Sequence, residues 1–346
     1  MATTERWLPD FSADQRILLA WPYRNDVWRE KAEPARKALL KLIAQLPDNT
    51  LFSLVVPANL GSDFPRTLKP VHCIEIDYDD IWLRDIGPLW RHTESGLEAL
   101  SFDFDGWGGI QQAIAADKCF ARKLCTQLKR PLHQSNLIAE GGAFTHNGNG
   151  CWLVGLTCLK RRNRELTGNE IKSALGQLLP EQCLYFFEGS LSADETGGHI
   201  DNMALFVDSD TLLYATTDNE THPDYETCQL LKNKVRELPE SIKKIPLPLP
   251  LPQLATKDER LGIELTRLSL ERTVDLPLLC SYVNVLQTNE LVVVPQFGLA
   301  TDHNALQAIC RALPERQVIA FDAREFVLGG GGLHCISHNL PSSAIE

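Results

Sequence analysis

The chain alternates between helical and strand-like patterns of apolar residues, and one combination of the two recurs five times. In each copy, apolar residues at helical spacing run up to a proline, and a short β-type run follows. Because proline disfavours the helical conformation in the residue before it, each copy predicts a helix that ends there and then a strand. The copies lie at residues 38–47 (ALLKLIAQLP), 123–131 (KLCTQLKRP), 174–180 (ALGQLLP), 230–239 (LLKNKVRELP) and 305–314 (ALQAICRALP).

Five such units predict an α/β protein built from one repeated architecture. The prolines are spaced irregularly, from about 50 to about 85 residues apart, which is looser than the period of most propellers. Any α/β protein can end its helices at Leu-Pro, so chance recurrence stays open as an alternative. Polar motifs nevertheless follow four of the units, and these motifs would meet at the centre if the units closed around an axis. They are DDIWLRDIGP (79–88), EGGAF (140–144), DETGGHIDN (194–202) and GGGGLHC (329–335).

The fourth unit is followed by nothing obviously chemical. Its continuation reads IPLPLPLPQLATKDERLG at residues 245–262. Proline lacks a backbone N–H and does not suit a central strand. This run therefore favours a proline-rich loop that covers a sheet edge or rims the site.

Composition and charge narrow the possible functions. With 44% apolar and 23% charged residues, the 346-residue chain can bury a large core. The formal net charge of −11 argues against nucleic acid or an anionic membrane as a partner and suits a cationic substrate. The ten cysteines are scattered without a CxxC pair, which favours neither a zinc cluster nor a disulfide framework. No export signal or long apolar run occurs, so we expect no membrane span and a reducing, cytoplasmic location.

The motif around His199 and Asp201 contains two ionisable groups beside an apolar run. The stretch HIDNMALFV predicts a buried strand, on which these two side chains share one face. Buried charges need partners, which can be an ionic ligand, a metal or each other. Gly197 and Gly198 leave space for a ligand to approach. An internal His–Asp hydrogen bond without a catalytic role is the alternative.

Two further carboxylates stand next to bare backbone. Asp85 lies in the apolar stretch DDIWLRD, which we expect to be a strand that Gly87 and Pro88 stop abruptly. Glu140 precedes Gly141 and Gly142 in the same manner. Both are candidate site residues. The alternative for the Trp-x-Arg-Asp string is a surface salt-bridge cluster, since neighbouring charges of opposite sign usually form one.

Four glycines, residues 329–332, precede the His334-Cys335 pair. Glycine lets the backbone pass close to a ligand that a Cβ would block, and backbone N–H groups can then face the reacting centre. A thiolate is a strong nucleophile, so Cys335 is a catalytic candidate, although a buried structural thiol is the alternative. One thiol, one imidazole and three carboxylates suit a planar cation such as guanidinium, which paired carboxylates bind bidentately.

These blocks together resemble the agmatine deiminase family, within the wider guanidino-group-modifying superfamily. The likeness runs nearly end to end, from AWPYRNDVW at 20–28 through DDIWLRDIGP, IAEGGAF, TCLKRRN and DETGGHIDN to VLGGGGLHCIS. It implies a five-bladed α/β propeller of pseudo-repeats around a central active site, with residues 1–346 as a single catalytic domain. That architecture agrees with the recurring unit.

The resemblance also implies roles for the candidate residues. Cys335 would be the nucleophile and His199 the general acid and base. Asp85 and Asp201 would hold the guanidinium nitrogens, while Glu140 would orient His199 or balance its charge. These assignments follow from matching motifs.

The resemblance places further residues near the substrate and also shows departures. Trp82 would shape the substrate tunnel, as would Trp21. Family members commonly carry Asn where Gly332 stands here, so Gly332 is expected at the substrate. The stretches HNGNG (146–150) and SHN (337–339) also differ from the usual pattern. No catalytic group is lost, but recognition of the distal amine is open.

The implied reaction is hydrolysis of agmatine to N-carbamoylputrescine and ammonia, a step towards putrescine. It would proceed through a covalent S-alkylthiouronium on cysteine and needs neither metal nor cofactor. His334, Cys335 and His338 could form a metal-ligand trio, but no second cysteine pair accompanies them. A homo-oligomer is expected from the family. The alternatives are a deiminase of free or peptidyl arginine and a non-catalytic binder of guanidino compounds.

Overall fold

The computed structural model describes residues 6–58, 72–179 and 183–345. Helices and strands alternate along these residues and form a mixed α/β fold. The longer helices are Glu33–Gln45, Phe120–Gln127, Gly168–Leu178, Tyr225–Arg236 and Asp302–Ala312. The shorter ones are Leu83–Ile86, Gly106–Gly109, Leu156–Arg162 and Arg324–Leu328. Single 3₁₀ turns occur at Glu30–Ala32, Asp117–Cys119, Gly141–Ala143, Ile200–Asn202, Asp258–Arg260 and Ser342–Ala344.

Five β-sheets share one strand pattern. In each, the first strand is antiparallel to the middle strand, and the middle strand is parallel to the third. One or two helices connect the middle strand to the third, because parallel neighbours require a long crossover. In this order the strands are Ser337–Pro341, Gln15–Ala20 and Phe52–Val56 (sheet 1); Leu89–Thr93, Gly96–Asp103 and Leu132–Ile138 (sheet 2); Phe144–His146, Cys151–Gly155 and Cys183–Phe187 (sheet 3); Ala204–Asp208, Thr211–Thr216 and Lys243–Pro248 (sheet 4); Leu286–Gln287, Leu291–Gln296 and Gln317–Asp322 (sheet 5).

Three short additions complete the strands of the described residues. His72–Glu75 extends sheet 1 next to its third strand, and Arg6–Trp7 extends sheet 2 next to its first. Gln253–Leu254 pairs with Pro277–Leu278 as a separate two-stranded ribbon.

The five helix-to-strand units predicted from the sequence are confirmed. The helix Glu33–Gln45 stops just before a Leu-Pro pair and leads into Phe52–Val56, and the same order occurs in the other four sheets. Each helix begins earlier than its apolar stripe indicated. Except in Phe120–Gln127, the first turn contains polar residues that carry no apolar signal. The capping box of Thr167 and Glu170 is one such start. Pro180, the predicted stop of the third unit, lies outside the described residues.

The proline-rich run after the fourth unit is only partly a loop. Its first residues belong to the strand Lys243–Pro248, which lies at the edge of sheet 4. An edge position tolerates proline because one side of the strand makes no ladder hydrogen bonds. The rim of the cavity described below is formed further along the chain, where Leu268, Leu270 and Arg272 line it.

Two clusters of buried apolar side chains form the core. The larger cluster takes residues from strands of all five sheets, and the smaller one lies between sheets 2 and 3. Within the smaller cluster, Trp7 packs edge-on against Trp152 with ring centroids 5.3 Å apart. Burying one such large side chain stabilises the fold by about 1.5–3 kcal/mol. Among the helices of the described residues, none is long and apolar enough to cross a membrane.

The connections between successive sheets position the polar motifs. Each connection runs from the last strand of one sheet to the first strand of the next and contributes a buried polar or thiol side chain. In chain order these are Asp85, Glu140, Asp201, Asn284 and Cys335. The fourth connection, after which the sequence shows nothing obviously chemical, places buried Asn284 in the corresponding position.

Candidate active site

The connections meet at one cavity, which Asp85, His199 and Cys335 line together. Glu140 and Asp201 do not line it themselves and lie fully buried behind these residues. Five sequence candidates from four connections are thus brought together around the cavity.

Cys335 lies just before the strand Ser337–Pro341, and its side chain faces polar groups. Its sulfur is 3.3 Å from Asn284 Nδ2 and 3.9 Å from Asp201 Oδ2. Burial raises the pKa of the Cys335 thiol well above its usual range, and the Asp201 and Asp85 carboxylates raise it further. The resting Cys335 side chain is therefore a thiol. A cation placed beside the sulfur would favour the thiolate.

His199 does not lie on a strand, contrary to the sequence prediction. It precedes the 3₁₀ turn Ile200–Asn202, and the strand begins only at Ala204. Gly197 and Gly198 adopt φ of +79° and +122°, which sets the chain into a turn that other residues rarely adopt. His199 and Asp201 therefore do not share a strand face.

His199 is held between two carboxylates. Its Nε2 lies 3.2 Å from Glu140 Oε2, and its Nδ1 lies 3.7 Å from Asp85 Oδ1. Burial alone would lower the pKa of His199, but the Asp85 and Glu140 carboxylates outweigh burial and raise it to about 9. At neutral pH the ring is consequently a cation and can give up a proton.

Glu140 is anchored by a buried arginine. Arg162 Nε donates to Glu140 Oε1 at 2.7 Å, and both side chains are almost fully buried. Burial opposes ionisation of Glu140, but His199 and Arg162 together hold the pKa of its carboxyl below the usual range. A carboxylate fixed in this place contacts the imidazole, which is the position that the resemblance implies for a residue that orients His199 or balances its charge.

Asp85 lies in the short helix Leu83–Ile86 and not on the expected strand. Its Oδ1 accepts from the Gly142 backbone N–H at 3.0 Å, and its Oδ2 accepts from Trp107 Nε1 at 2.8 Å. Burial raises the pKa of Asp85, although the nearby His199 favours the charged form. The carboxylate is thus oriented towards the cavity by fixed donors.

Asp201 is bound on one oxygen only. Its Oδ2 lies 2.7 Å from His334 Nδ1, and the other ring nitrogen of His334 lies 2.8 Å from Asp10 Oδ2. Asp201 Oδ1 is buried and has no hydrogen-bond partner among the described residues. A buried acceptor of this kind normally has a donor, so Asp201 is suited to accept an N–H from a ligand.

Trp82 lines the cavity, as expected, and is held in place by a buried carboxylate. Its Nε1 donates to Asp80 Oδ2 at 3.0 Å, and Trp28 Nε1 donates to Asp80 Oδ1 at 3.1 Å. A Cβ at Gly331 would come within 2.6 Å of the Trp82 ring. This glycine therefore lets the nucleophile's loop pack directly against the indole.

Two predicted substrate contacts, Trp21 and Gly332, lie outside the cavity lining. Trp21 does not line the cavity, because it is buried in the larger core cluster, where Arg36 lies over its ring. Gly332 does not line it either, whereas Gly329, Gly330 and Gly331 do. Gly332 faces the side chain of Asn284.

Four side chains that contact the candidate residues were not among the predicted site residues: Asn284, Arg162, Trp107 and His334. Asn284 ends the apolar stretch CSYVN with a polar residue just before a strand, which is the pattern of the other connections. Arg162 ends a run of three basic residues that reads as a solvated helix end. Nothing local distinguishes Trp107.

Two arginines line the rest of the cavity, and each is paired with a carboxylate. Arg24 Nη2 lies 2.6 Å from Asp26 Oδ2, and Arg272 Nη2 lies 2.8 Å from Glu195 Oε2. This region contains both signs of charge. Within the described residues, no three His, Cys, Asp or Glu side chains are grouped to hold a metal ion.

Comparisons with known proteins agree with this geometry. The model of the family described as Porphyromonas-type peptidyl-arginine deiminase matches residues 6–341. A curated protein of Shewanella baltica, provisionally named an agmatine deiminase, is 32% identical over 345 residues, which cover 96% of this chain and 93% of the relative.

Solved structures show the same fold. The agmatine deiminase of Enterococcus faecalis superposes with a TM-score of 0.89 at 25% identity, covering 97% of this chain and 96% of that one. An agmatine deiminase of C. jejuni with substrate bound superposes with a TM-score of 0.85 at 24% identity, covering 98% and 96%. The mixed α/β class predicted from the sequence is thereby confirmed.

Proposed function

This chain belongs to the Porphyromonas-type peptidyl-arginine deiminase family, and we propose that it is an agmatine deiminase, which hydrolyses the guanidinium of agmatine to N-carbamoylputrescine and ammonia. The observation that carries the proposal is the grouping of the Cys335 thiol, the His199 imidazole and the Asp85 carboxylate at one cavity, with the Asp201 carboxylate buried 3.9 Å from the sulfur. Agmatine as the substrate is supported by the names of the relatives above, which are those of agmatine deiminases.

Substrate binding depends on Asp85 and Asp201. Two carboxylates can hold a planar guanidinium through paired N–H donors. Asp201 Oδ1 has no partner among the described residues, so binding would satisfy it. The arriving cation also offsets the two carboxylates that raise the pKa of Cys335, so the thiol loses its proton to solvent when substrate is bound.

The first half of the reaction uses Cys335 and His199. The thiolate attacks the central guanidinium carbon, and a tetrahedral adduct forms. His199 gives its proton to the departing nitrogen, which leaves as ammonia, and an S-alkylthiouronium remains on Cys335. Because the pKa of His199 is raised to about 9, the proton donor is present at neutral pH.

The second half releases the product. His199, now neutral, takes a proton from water while the oxygen attacks the thiouronium carbon. The carbon–sulfur bond then breaks, and the hydroxyl proton passes to the sulfur. The ureido product, ammonia and one proton balance the guanidinium cation and the water consumed.

The finer architecture is part of the proposal. We propose that the five sheets are the blades of a five-bladed propeller within one catalytic domain, residues 1–346. Three features support this: the strand pattern common to the five sheets, the core cluster they share and the convergence of their connections on one cavity.

A second candidate is a deiminase of free or peptidyl arginine. It is favoured by Arg24 and Arg272, which line the cavity and could pair with a substrate carboxylate. Agmatine lacks that carboxylate and needs an acidic or aromatic group for its amine. Glu195, Asp80 and Trp82 line the same cavity and supply such groups.

A ureido assay on the purified protein separates the candidates. We expect product from agmatine. The kcat/KM for agmatine should be at least about tenfold above the values for arginine and for a peptide ending in arginine, because one selective ion pair contributes a preference of about that size. The opposite order would make the second candidate correct.

The Cys335→Ala variant controls for the nucleophile. It should give no product, and a haloacetamidine should label the wild type at Cys335 but not the variant. Binding without product in the wild type would contradict both enzymatic candidates and leave a binder of guanidino compounds.

A further inference from the structure

We propose that Asn284 is a further catalytic residue, whose side-chain amide stabilises the Cys335 thiolate, and that Gly332 provides the space it needs; this inference rests on the proposed function. Asn284 is 2% exposed and lies in the connection that leads into the strand Leu286–Gln287. It is the counterpart, in the fourth connection, of the acidic residues in the first three connections and of Cys335 in the fifth.

The orientation of the Asn284 amide is fixed by its neighbours. Its Oδ1 accepts from the backbone N–H of His334 at 2.9 Å, which identifies that atom as the oxygen. The Nδ2 group is therefore the N–H donor, and the sulfur lies closer to it than to Oδ1, which is 3.6 Å away. It donates to Asn202 Oδ1 at 2.8 Å and lies 3.3 Å from the sulfur of Cys335.

The sulfur needs such a donor because burial and the nearby carboxylates disfavour negative charge on it. Burial raises the pKa of Cys335, as do Asp201 and Asp85, whereas the Gly332 backbone N–H and the Asn284 amide lower it. Among the described residues, Asn284 supplies the side-chain N–H that reaches the sulfur. A hydrogen bond to a charged acceptor is stronger than one to a neutral acceptor. The amide therefore stabilises the thiolate more than the resting thiol.

The contact between the Asn284 amide and the Cys335 sulfur requires a glycine at position 332. A Cβ at position 332 would collide with Asn284 Oδ1 and approach its amide carbon to 2.9 Å. The clashing atom belongs to a side chain held at both ends by hydrogen bonds, so it cannot move aside without breaking them. A larger residue at position 332 would displace the amide from the sulfur.

Alkylation of Cys335 by iodoacetamide as a function of pH tests the proposal without using turnover. The modified Cys335 peptide is quantified by mass spectrometry, which separates it from the other nine cysteines. We expect Asn284→Ala to slow alkylation about 10–100-fold at about pH 8, the range for losing a hydrogen bond to a charged group, with the midpoint shifted to higher pH. An unchanged profile would overturn the proposal.

The link to Gly332 is tested by a double-mutant cycle. Gly332→Ala should slow alkylation nearly as much as Asn284→Ala, and the double variant should be no slower than Asn284→Ala, because both changes break one contact. If the two substitutions slowed alkylation additively, Gly332 would act independently of Asn284, and the proposed role of Gly332 would be overturned.

Matched controls are available on the surface of the fold. Asn233→Ala changes an exposed asparagine. Gly168→Ala places a Cβ no closer than 3.9 Å to its neighbours. Both should alkylate like the wild type.

A second variant covers the case in which Asn284→Ala does not fold. Asn284→Asp keeps the size and the acceptor for His334 but replaces the N–H donor with a carboxylate oxygen. It should alkylate more slowly than the wild type while its thermal melting midpoint shows a folded protein. Wild-type alkylation in folded Asn284→Asp would also overturn the proposal.

The outcome is separable from that of the proposed function. If the wild type produces no ureido product from any substrate but the variants shift alkylation as expected, the proposed reaction fails and the sulfur–amide contact stands. If the wild type turns over agmatine and the variants alkylate normally, the reaction stands and the role of Asn284 is wrong.

Discussion

His199 and His334 are both buried, and each lies between two carboxylates. His199 contacts Glu140 and Asp85 at 3.2 and 3.7 Å. His334 contacts Asp201 and Asp10 at 2.7 and 2.8 Å. The pKa of each ring is raised by its carboxylates against the effect of burial. Residue type and charge environment alone therefore do not distinguish the two.

The difference lies in which ring nitrogen is free. Both nitrogens of His334 lie within hydrogen-bond distance of a carboxylate, so the ring has no donor left for a substrate. In His199 only Nε2 is engaged this way, because 3.7 Å is too long for a hydrogen bond at Nδ1. His199 also lines the cavity of Cys335, whereas His334 lines a second one, beside Arg84 and His338. One imidazole can therefore transfer protons, while the other holds a carboxylate.

The largest expected effect is on the ring that transfers protons. His199→Gln should lower kcat about 10⁴-fold, at the upper end of the range for general acid–base catalysis, because one residue serves both half-reactions. Steady-state ureido formation measures it. His303→Gln, at an exposed histidine, is the control. If His199→Gln kept the wild-type kcat, the roles assigned to His199 and His334 would have to be exchanged.

A smaller loss is expected at the carboxylate that His334 holds. Asp201→Asn removes one charge from the proposed guanidinium site and should lower kcat/KM about 10³-fold, corresponding to the 3–5 kcal/mol typical of a broken buried ion pair. The measurement is agmatine turnover over a range of concentrations. Kinetics equal to those of the wild type would mean that Asp201 belongs only to the structural network.

The structural histidine should affect catalysis least but stability most. His334→Gln removes the ring that joins Asp201 to Asp10 and leaves buried carboxylates without their partner, so we expect the free energy of unfolding to fall by about 3 kcal/mol. Activity should fall only about tenfold, mainly through KM, since Asp201 loses its orientation. Urea unfolding and steady-state kinetics measure the two effects. A kcat loss as large as that of His199→Gln would contradict the comparison.

The mildest perturbation is alkaline pH. The folded-state pKa of His199 is raised to about 9 from an unfolded value near 6.5, so its stabilising contribution is complete below about 6.5 and is lost as pH rises through about 9. The proton donor is lost over the same interval. We expect kcat to fall about tenfold per pH unit above about 9. A kcat independent of pH up to about 10.5 would exclude His199 as the proton donor.

The sequence predicted the repeated unit because its signals are local. An apolar stripe, a Leu-Pro stop and a β-type run describe about twenty consecutive residues, and such signals survive without tertiary context. The strand assigned to His199 and Asp201 failed for the same reason. HIDNMALFV contains strand-forming residues, but the positive φ angles of Gly197 and Gly198 turn the chain before the strand begins.

Site residues were found where a chemical group stands beside glycine and missed where the signal is a distant contact. Cys335, His199 and Glu140 carry such local marks. Asp10 lies in an ordinary turn-like stretch, and its contact with His334 joins residues from opposite ends of the printed sequence. In the sequence, Arg162 resembles its solvated basic neighbours. It differs from them only in the fold, where its Nε lies 2.7 Å from Glu140 Oε1.

The raised pKa of Cys335 has a consequence for how the protein tolerates oxidants. Peroxide reacts with thiolates far faster than with thiols, so a thiol that ionises only beside a bound cation resists conversion to sulfenic acid while the cavity holds no substrate. Five further buried thiols also have raised pKa values: Cys125, Cys151, Cys158, Cys228 and Cys280. Burial thereby shields six of the ten cysteines from oxidants, whereas Cys73 is exposed and Cys119, Cys183 and Cys310 are partly exposed. Among the six, the proposed reactive sulfur becomes vulnerable when a cation binds beside it.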